Sequence, residues 1–394
     1  VLFGVLVLWP AIRRSPAAAD PLSGVDPPPP SLASTTRSVT LTRAARVFGV
    51  CFLLLVGLTV WFRGDVVWVH LVTQAIIMSI IFLSVTVITG LAGQISLCQG
   101  TFAAIGALTV FQLADRWDVS VLAAALVGAA IAAVVGALLS IPVLRLGGIW
   151  LAIATLAFAF FFDAVMLKFS WVGGGGSSLL QGHRVPRPVL GPWDFADDQR
   201  FLALVVVVFT VVSILVIRIR EGTTGLTLRG LRGSEVAAES IGVSPARARM
   251  VAFALSAAIA GLGGGLLAIH QENVNYGNNF TPTAALFWVV LVVTLSARTV
   301  EGAAQAGAAF SLFNAVILRG AGLAWITRGH LPGFFPLSPK WRFVLFGLAS
   351  IQFARHPEGL VEHGKRRATV GVEARLAARR ERASLQDADG GEQP

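Results

Sequence analysis

The 394-residue chain is 55% hydrophobic and only 13% charged, about half of the ~25% typical of soluble domains, so it cannot coat a water-facing surface. That excludes an ordinary soluble enzyme, a disordered chain and, with two cysteines, a secreted disulfide scaffold. The net charge of +10 lies mostly in short Arg-rich segments beside apolar runs, which fits a membrane protein with a positive-inside bias better than a nucleic-acid binder.

The chain opens on an apolar stretch, Val1 to Ile12, without a methionine. This reads as the remnant of an earlier span or as a start at an alternative codon. Pro27 to Pro30 mark a stiff linker, so residues 1–46 are expected to form an apolar stub and a disordered cytosolic linker. A spanning helix needs about 20 apolar residues. Strong runs of that kind are Val66–Thr89, Leu91–Leu113, Val119–Leu144, Gly147–Leu167, Phe201–Ile217 and Met250–His270. Weaker ones are Val47–Phe62, Thr283–Ala297, Gly302–Leu318 and Phe343–Ala354. The fold class is therefore all-α and polytopic, with about ten transmembrane helices between residues 47 and 354. Ten crossings also permit a five-plus-five division, the arrangement of inverted repeats. The tail, 355–394, is charged and reads as cytosolic disorder or a frayed helix.

Placing both termini in the cytosol puts 21 of the 31 Lys and Arg on the cytosolic side, the direction the charge bias requires. The expected location is the cell (inner) membrane. No reactive constellation appears: the six histidines are scattered without paired-ligand spacing, so neither a catalytic centre nor a metal site nor a bound cofactor is expected. Gly359 to Arg366 nearly fits a phosphate loop, but Arg366 stands where a hydroxyl is required and no strand precedes it.

Polar groups within spans are costly in lipid. Gln94, Ser96 and Gln99 must therefore be satisfied internally or face a hydrated path, and Asp163, near the outer end of its span, is a path candidate or an interfacial carboxylate. Small residues at four-residue spacing, Gly128, Ala132, Gly136 and Ser140 in one span and Ala257, Gly261 and Gly265 in another, suit close helix packing.

A polar stretch between two strong runs, 221–249, lies on the side assigned to the cytosol. Within it Ser234 to Gly242 reads as a two-turn helix: Ser234 caps it, Glu235 complements its dipole and Gly242 ends it in the left-handed conformation. So short a helix is marginal alone and needs something to dock against. Ala237, Ala238 and Ile241 are expected to form its docking face.

Three segments together resemble the LivM-type permease subunits of branched-chain amino-acid ABC transporters. They are Gly225 to Val243 followed by Ala252 to Gly264, then Gly90 to Gly106, then His356 to Leu360. Gly173 to Gly176 with Val185 to Pro188 adds a looser match. The resemblance runs from about Val66 to Leu360 in order and spacing. It departs at Cys98-Gln99, where family members usually carry Gly-His, and at Leu295 to Gly302, where they carry a Gly-rich turn. It implies that Glu235, Ala237, Ala238 and Gly242 belong to a coupling helix that contacts an ATPase. It also implies two ATPase subunits that use the ATP, a second homologous permease subunit and a solute-binding protein as partners, within a lipid bilayer and with no nucleic acid. The expected function is a permease subunit for branched-chain amino acids or related small solutes. The alternative is a stand-alone secondary transporter or channel, which predicts paired ionisable groups deep in the membrane.

Overall fold

A computed structural model describes residues 66–117, 119–143, 146, 148–169, 172, 183–190, 193–274 and 276–312. The stub and linker, the spans expected at 47–62 and 343–354, the end of the one expected at 302–318 and the charged tail lie outside these residues.

Helix α1, Val66–Val85, is apolar along its length and continues through a π-helical turn, Thr86–Leu91. These 26 residues rise about 39 Å at ~1.5 Å each, enough to cross the hydrocarbon. The helix ends because Gly93 takes φ +69°, a conformation that costs any residue with a Cβ. Helix α2 then runs Gln99–Trp117. The expected span Leu91–Leu113 is thus corrected: Leu91 completes the preceding helix, a non-helical turn intervenes, and α2 begins eight residues later.

Helices α3 (Val121–Val143) and α4 (Gly148–Ala164) follow, the latter extended by a 3-10 turn at Met166–Lys168. Helix α5 (Asp198–Glu221) is capped by Asp197, whose side chain accepts from the Gln199 amide, and carries Arg218 and Arg220 in its last turn, where cations complement the helix dipole. Gly222 separates it from α6 (Thr223–Gly233), and Ser234 separates α6 from the six-residue α7 (Glu235–Ser240). Helix α8 (Pro245–Gln271) opens on its proline, and Glu272 ends it at φ 52°. Helix α9 (Tyr276–Asn279) precedes α10 (Pro282–Ser296) and α11 (Val300–Leu312).

Five helical segments are long and apolar enough to cross a membrane among the described residues: Val66–Leu91, Val121–Pro142, Gly148–Lys168, Asp198–Glu221 and Pro245–Gln271. The chain is an all-α, polytopic membrane protein. Two short antiparallel pairings interrupt the helices: β1 (His183–Arg184) pairs with β4 (Asn273–Val274), and β2 (Val189–Leu190) with β3 (Trp193–Asp194).

Helix α8 is the hub, packed against α1, α2 and α3, while α1 also packs against α5 and α11. Contact there is made with backbone and methyl groups. A Cβ at Gly136 of α3 would stand 2.5 Å from that of Ala257, and one at Gly261 would stand 2.7 Å from that of Ala132. The two small-residue ridges therefore face each other, with Gly265 beside Ala125 and Val110 and Gly128 beside Gly106. Elsewhere large rings fill the core, where Phe82, Trp288 and Phe310 meet edge to face at 6.1–6.4 Å. The opposite faces of α3, α4 and α5 expose Leu126, Val134, Leu138, Ile149, Phe160, Val207, Val211 and Ile214. An apolar surface of that extent belongs in lipid.

The helices alternate in direction, so the connections fall at two ends. One end carries the turn at Ala92–Cys98, the α6–α7 segment and the residues between α10 and α11. The other carries the segment 183–197, the end of α8, and α9.

Candidate functional site

Two polar assemblies stand out, one at each end, together with the exposed α6–α7 segment. The Ser234 hydroxyl accepts from the Ala237 amide at 3.2 Å, and Gly242 takes φ +84° with nothing within 4 Å of the place a Cβ would occupy. The Glu235 carboxylate receives the Arg249 guanidinium at 2.7 Å, tying α7 to the start of α8. With that pairing in place, α7 lies against the bundle through one face. It turns Ala238 inward to 4% exposure, while Val236 and Ile241 stand 78% and 79% exposed and Ala237 is also exposed. The expected face of Ala237, Ala238 and Ile241 is corrected accordingly: Ala238 is a packing residue, and Val236 takes its place on the outward surface.

Arg232, at the end of α6, lies along Gly93, and its Nη1 donates to the Gly90 carbonyl at 2.9 Å. Just inward lies a buried polar network. Gln99 Oε1 accepts from Ser84 Oγ at 3.0 Å, and the single proton of Ser256 Oγ is shared between the Ser84 carbonyl at 2.9 Å and Gln99 Oε1 at 3.3 Å. Gln99 Nε2 donates to Ser96 Oγ at 3.4 Å, and Ser96 lies 3.3 Å from the buried Cys98 Sγ. The Leu97 amide donates to Thr155 Oγ1 at 3.0 Å, which ties the turn to α4. Gln99 and Ser96 are thus satisfied internally, whereas Gln94 keeps a buried Oε1 with no hydrogen-bond partner among the described residues. Each hydroxyl around Gln99 also has a backbone or sulfur partner. Gln99→Leu is therefore expected to cost only about 1 kcal/mol, checked by melting in detergent.

At the other end Arg187 joins Asp198 at 2.7 Å and Glu272 at 2.8 Å and lies 5.3 Å from the centre of the Phe201 ring. The His270 ring is packed between His70, 4.0 Å away, and Phe201, 6.0 Å away. The two histidines stand 200 positions apart in sequence, so no spacing rule could bring them together. No group of three His, Cys, Asp or Glu able to hold a metal occurs among the described residues. Asp163 is also at this end, across the bundle from Gln94, Ser96 and Gln99. Its carboxylate lies beside the phenol of Tyr276, and burial first, then that charge, push the phenol above its ordinary range.

Tyr276 is the chain's single tyrosine, so its ionisation can be followed by absorbance. With the folded-state value raised above the unfolded one, the stabilisation is complete below about pH 10 and is lost as pH rises beyond it. The phenol is expected to resist ionisation until the protein unfolds, with Tyr276→Phe flattening the alkaline decline in melting temperature. Titration near pH 10 in the folded protein would contradict the burial.

Residues 67–349 match the family described as branched-chain amino acid transport system, permease component. The chain belongs to that family. The chain is 33% identical over 248 residues to the high-affinity branched-chain amino acid transport system permease protein LivM of Escherichia coli (strain K12), covering 57% of each sequence. The protein of the same name from Salmonella typhimurium (strain LT2) is 33% identical over 254 residues, covering 59% of this chain and 58% of the relative. The chain therefore spans less than three-fifths of the length of the curated relatives it matches. No solved structure matches it significantly. The matched stretch of this permease contains both polar assemblies and the α6–α7 segment.

Proposed function

We propose that this chain is a permease subunit of an ATP-binding-cassette importer and forms part of the path for branched-chain amino acids or related small solutes. The observation that carries the reading is α7: a two-turn helix capped by Ser234, tied to α8 through Arg249, with Val236 and Ile241 presented outward. Soluble-facing apolar side chains at the tip of a membrane bundle are a docking surface when a partner covers them. The partners proposed are two ATPase subunits that use the ATP, a second homologous permease and a solute-binding protein. Arg218, Arg220, Arg229, Arg232, Arg247 and Arg249 cluster at this end, which supports placing it, and both termini, in the cytosol of a cell (inner) membrane protein.

Alternating access then requires the hub helix and its neighbours to rearrange when the ATPases close on α7. Gln94 is proposed to meet the solute path, because its side-chain oxygen is not committed to another residue of the described chain. Gln99 and Ser96 would hold the turn in shape beside it, and Asp163 would act at the opposite mouth. Changing Gln94 to Leu is expected to alter uptake affinity, whereas Gln99→Leu acts on stability.

The test is to purify the chain with its bound partners from native membranes, reconstitute it in vesicles and measure solute uptake with and without ATP. Uptake that requires ATP and co-purified ATPases is expected. Concentrative uptake by this chain alone, driven by protons or sodium, would overturn the reading in favour of a secondary transporter.

A further inference from the structure

Among the side-chain bonds that tie the exposed segment to the bundle are those of Arg229 to the Arg220 carbonyl, Glu235 to Arg249 and Arg232 to Gly90, and the last of these is remote in sequence. Glu235 grips Arg249 fourteen residues away, at the start of the helix that follows. Arg232 instead reaches 142 positions back, to the carbonyl of Gly90 in the π-helical end of α1. That carbonyl is available because the chain leaves the helix there: the Ala92 amide donates to Val87 and the Gln94 amide to Ile88, so neither binds Gly90. The aliphatic part of Arg232 passes Gly93 so closely that a Cβ there would lie 3.0–3.1 Å from its Cγ and Cδ. The turn beneath is joined through Ser96 to Gln99, and so to Ser84 and Ser256, inside the bundle. The Arg232–Gly90 bond, the covalent turn from Leu91 to Ser96 and the Ser96–Gln99 contact thus connect the end of α6 to the buried network where α1, α2 and α8 meet. π-Helical turns are irregularities of this kind, often found at moving or functional places in helices.

We propose that Arg232 is a positioning residue that transmits displacement of the α6–α7 segment to the π-helical end of α1, making the α1–α2 turn a second moving part beside α8. The proposal rests on the functional reading above. It assigns the turn, and not the start of α8 alone, to the work of transport. A charge-assisted bond to a main-chain carbonyl suits this role, since it grips the backbone itself and is stronger than a neutral hydrogen bond.

The test uses the whole complex, with its ATPases and solute-binding protein, in vesicles. Arg232→Ala is expected to keep basal ATP hydrolysis within about twofold, to lower solute transported per ATP by tenfold or more, and to leave the melting temperature unchanged. Arg232→Lys should recover a substantial part of the transport, because an ammonium can still donate to Gly90. The decisive readout is hydrogen exchange at the amides of Leu91 to Leu97, which in the wild type should change on adding a non-hydrolysable ATP analogue and in Arg232→Ala should not. If wild-type uptake needs no ATP, the functional reading falls and this proposal with it. If the wild type is ATP-coupled and Arg232→Ala shows the same stoichiometry and the same nucleotide-dependent exchange, the proposal alone is overturned.

Discussion

Gly106→Ala is expected to leave little folded permease in the membrane. The Cβ it adds has no room: it would fall on the carbonyl group of Gly261, a backbone atom at the core of the hub helix that cannot swing aside. Relief requires α2 and α8 to separate along their length, which also lifts Gly264 from Ala103 and Gly265 from Val110. Overpacking of a tight core costs about 1–3 kcal/mol, and backbone against backbone lies at the upper end. The same substitution at Gly230 supplies the contrast. It lies in α6, and nothing stands within 4 Å of the position a Cβ would take. There alanine should be neutral or should stabilise by up to about 1 kcal/mol, since it restricts the unfolded chain and favours helix. Membrane abundance and melting in detergent measure both; a well-folded Gly106→Ala protein would show that the α2–α8 contact is looser than described.

On the function proposed above, the double substitution Val236→Asp with Ile241→Asp is expected to uncouple uptake from ATP hydrolysis without unfolding the chain. Both side chains are more than three-quarters exposed, so their replacement removes no internal contact. A hot-spot pair in a docked interface is worth about 2 kcal/mol or more, which is about 30-fold in affinity for the ATPase partner proposed above. ATP-driven uptake should fall by at least about tenfold at limiting ATPase, with the melting temperature unchanged. Ala238→Asp should behave in the opposite way. It buries a carboxylate at a position 4% exposed and is expected to damage the fold of the segment itself. Equal uptake by the double variant would remove α7 as the docking element.

Much of the architecture was legible because lipid imposes a simple demand. Uninterrupted apolar runs gave α1, α3, α4, α5 and α8 nearly at their observed bounds, and the caps at Ser234 and Gly242 marked α7 because capping is decided within a few residues. The break at Gly93 was not legible. Ala, Leu and Ile around it suit a helix and glycine is frequent in membrane spans, and what decides the matter is the turn that lets α2 run back to pack on α8. The rotation of α7 was hidden for a related reason, since it shows only where α7 meets α8 and a helix with alanines on two sides carries no internal preference. Gln94, Ser96 and Gln99 were visible as polar groups at membrane depth, but their division of labour was not. Ser84 and Ser256, which satisfy Gln99, lie 15 and 157 positions from it. The stacking of His70 on His270 is likewise a product of the folded chain alone.

The glycines of the hub helix carry one more implication. Gly261 abuts Ala132 on α3, Gly263 abuts Ile81 on α1 and Gly264 abuts Ala103 on α2, so within one turn the helix is sealed by main chain and methyl groups on three sides. No gap wide enough for even a small side chain is left there while those neighbours stay in place. The packing is therefore closed at that depth, and on the function proposed above a solute crossing beside these residues would wait for a neighbouring helix to draw back.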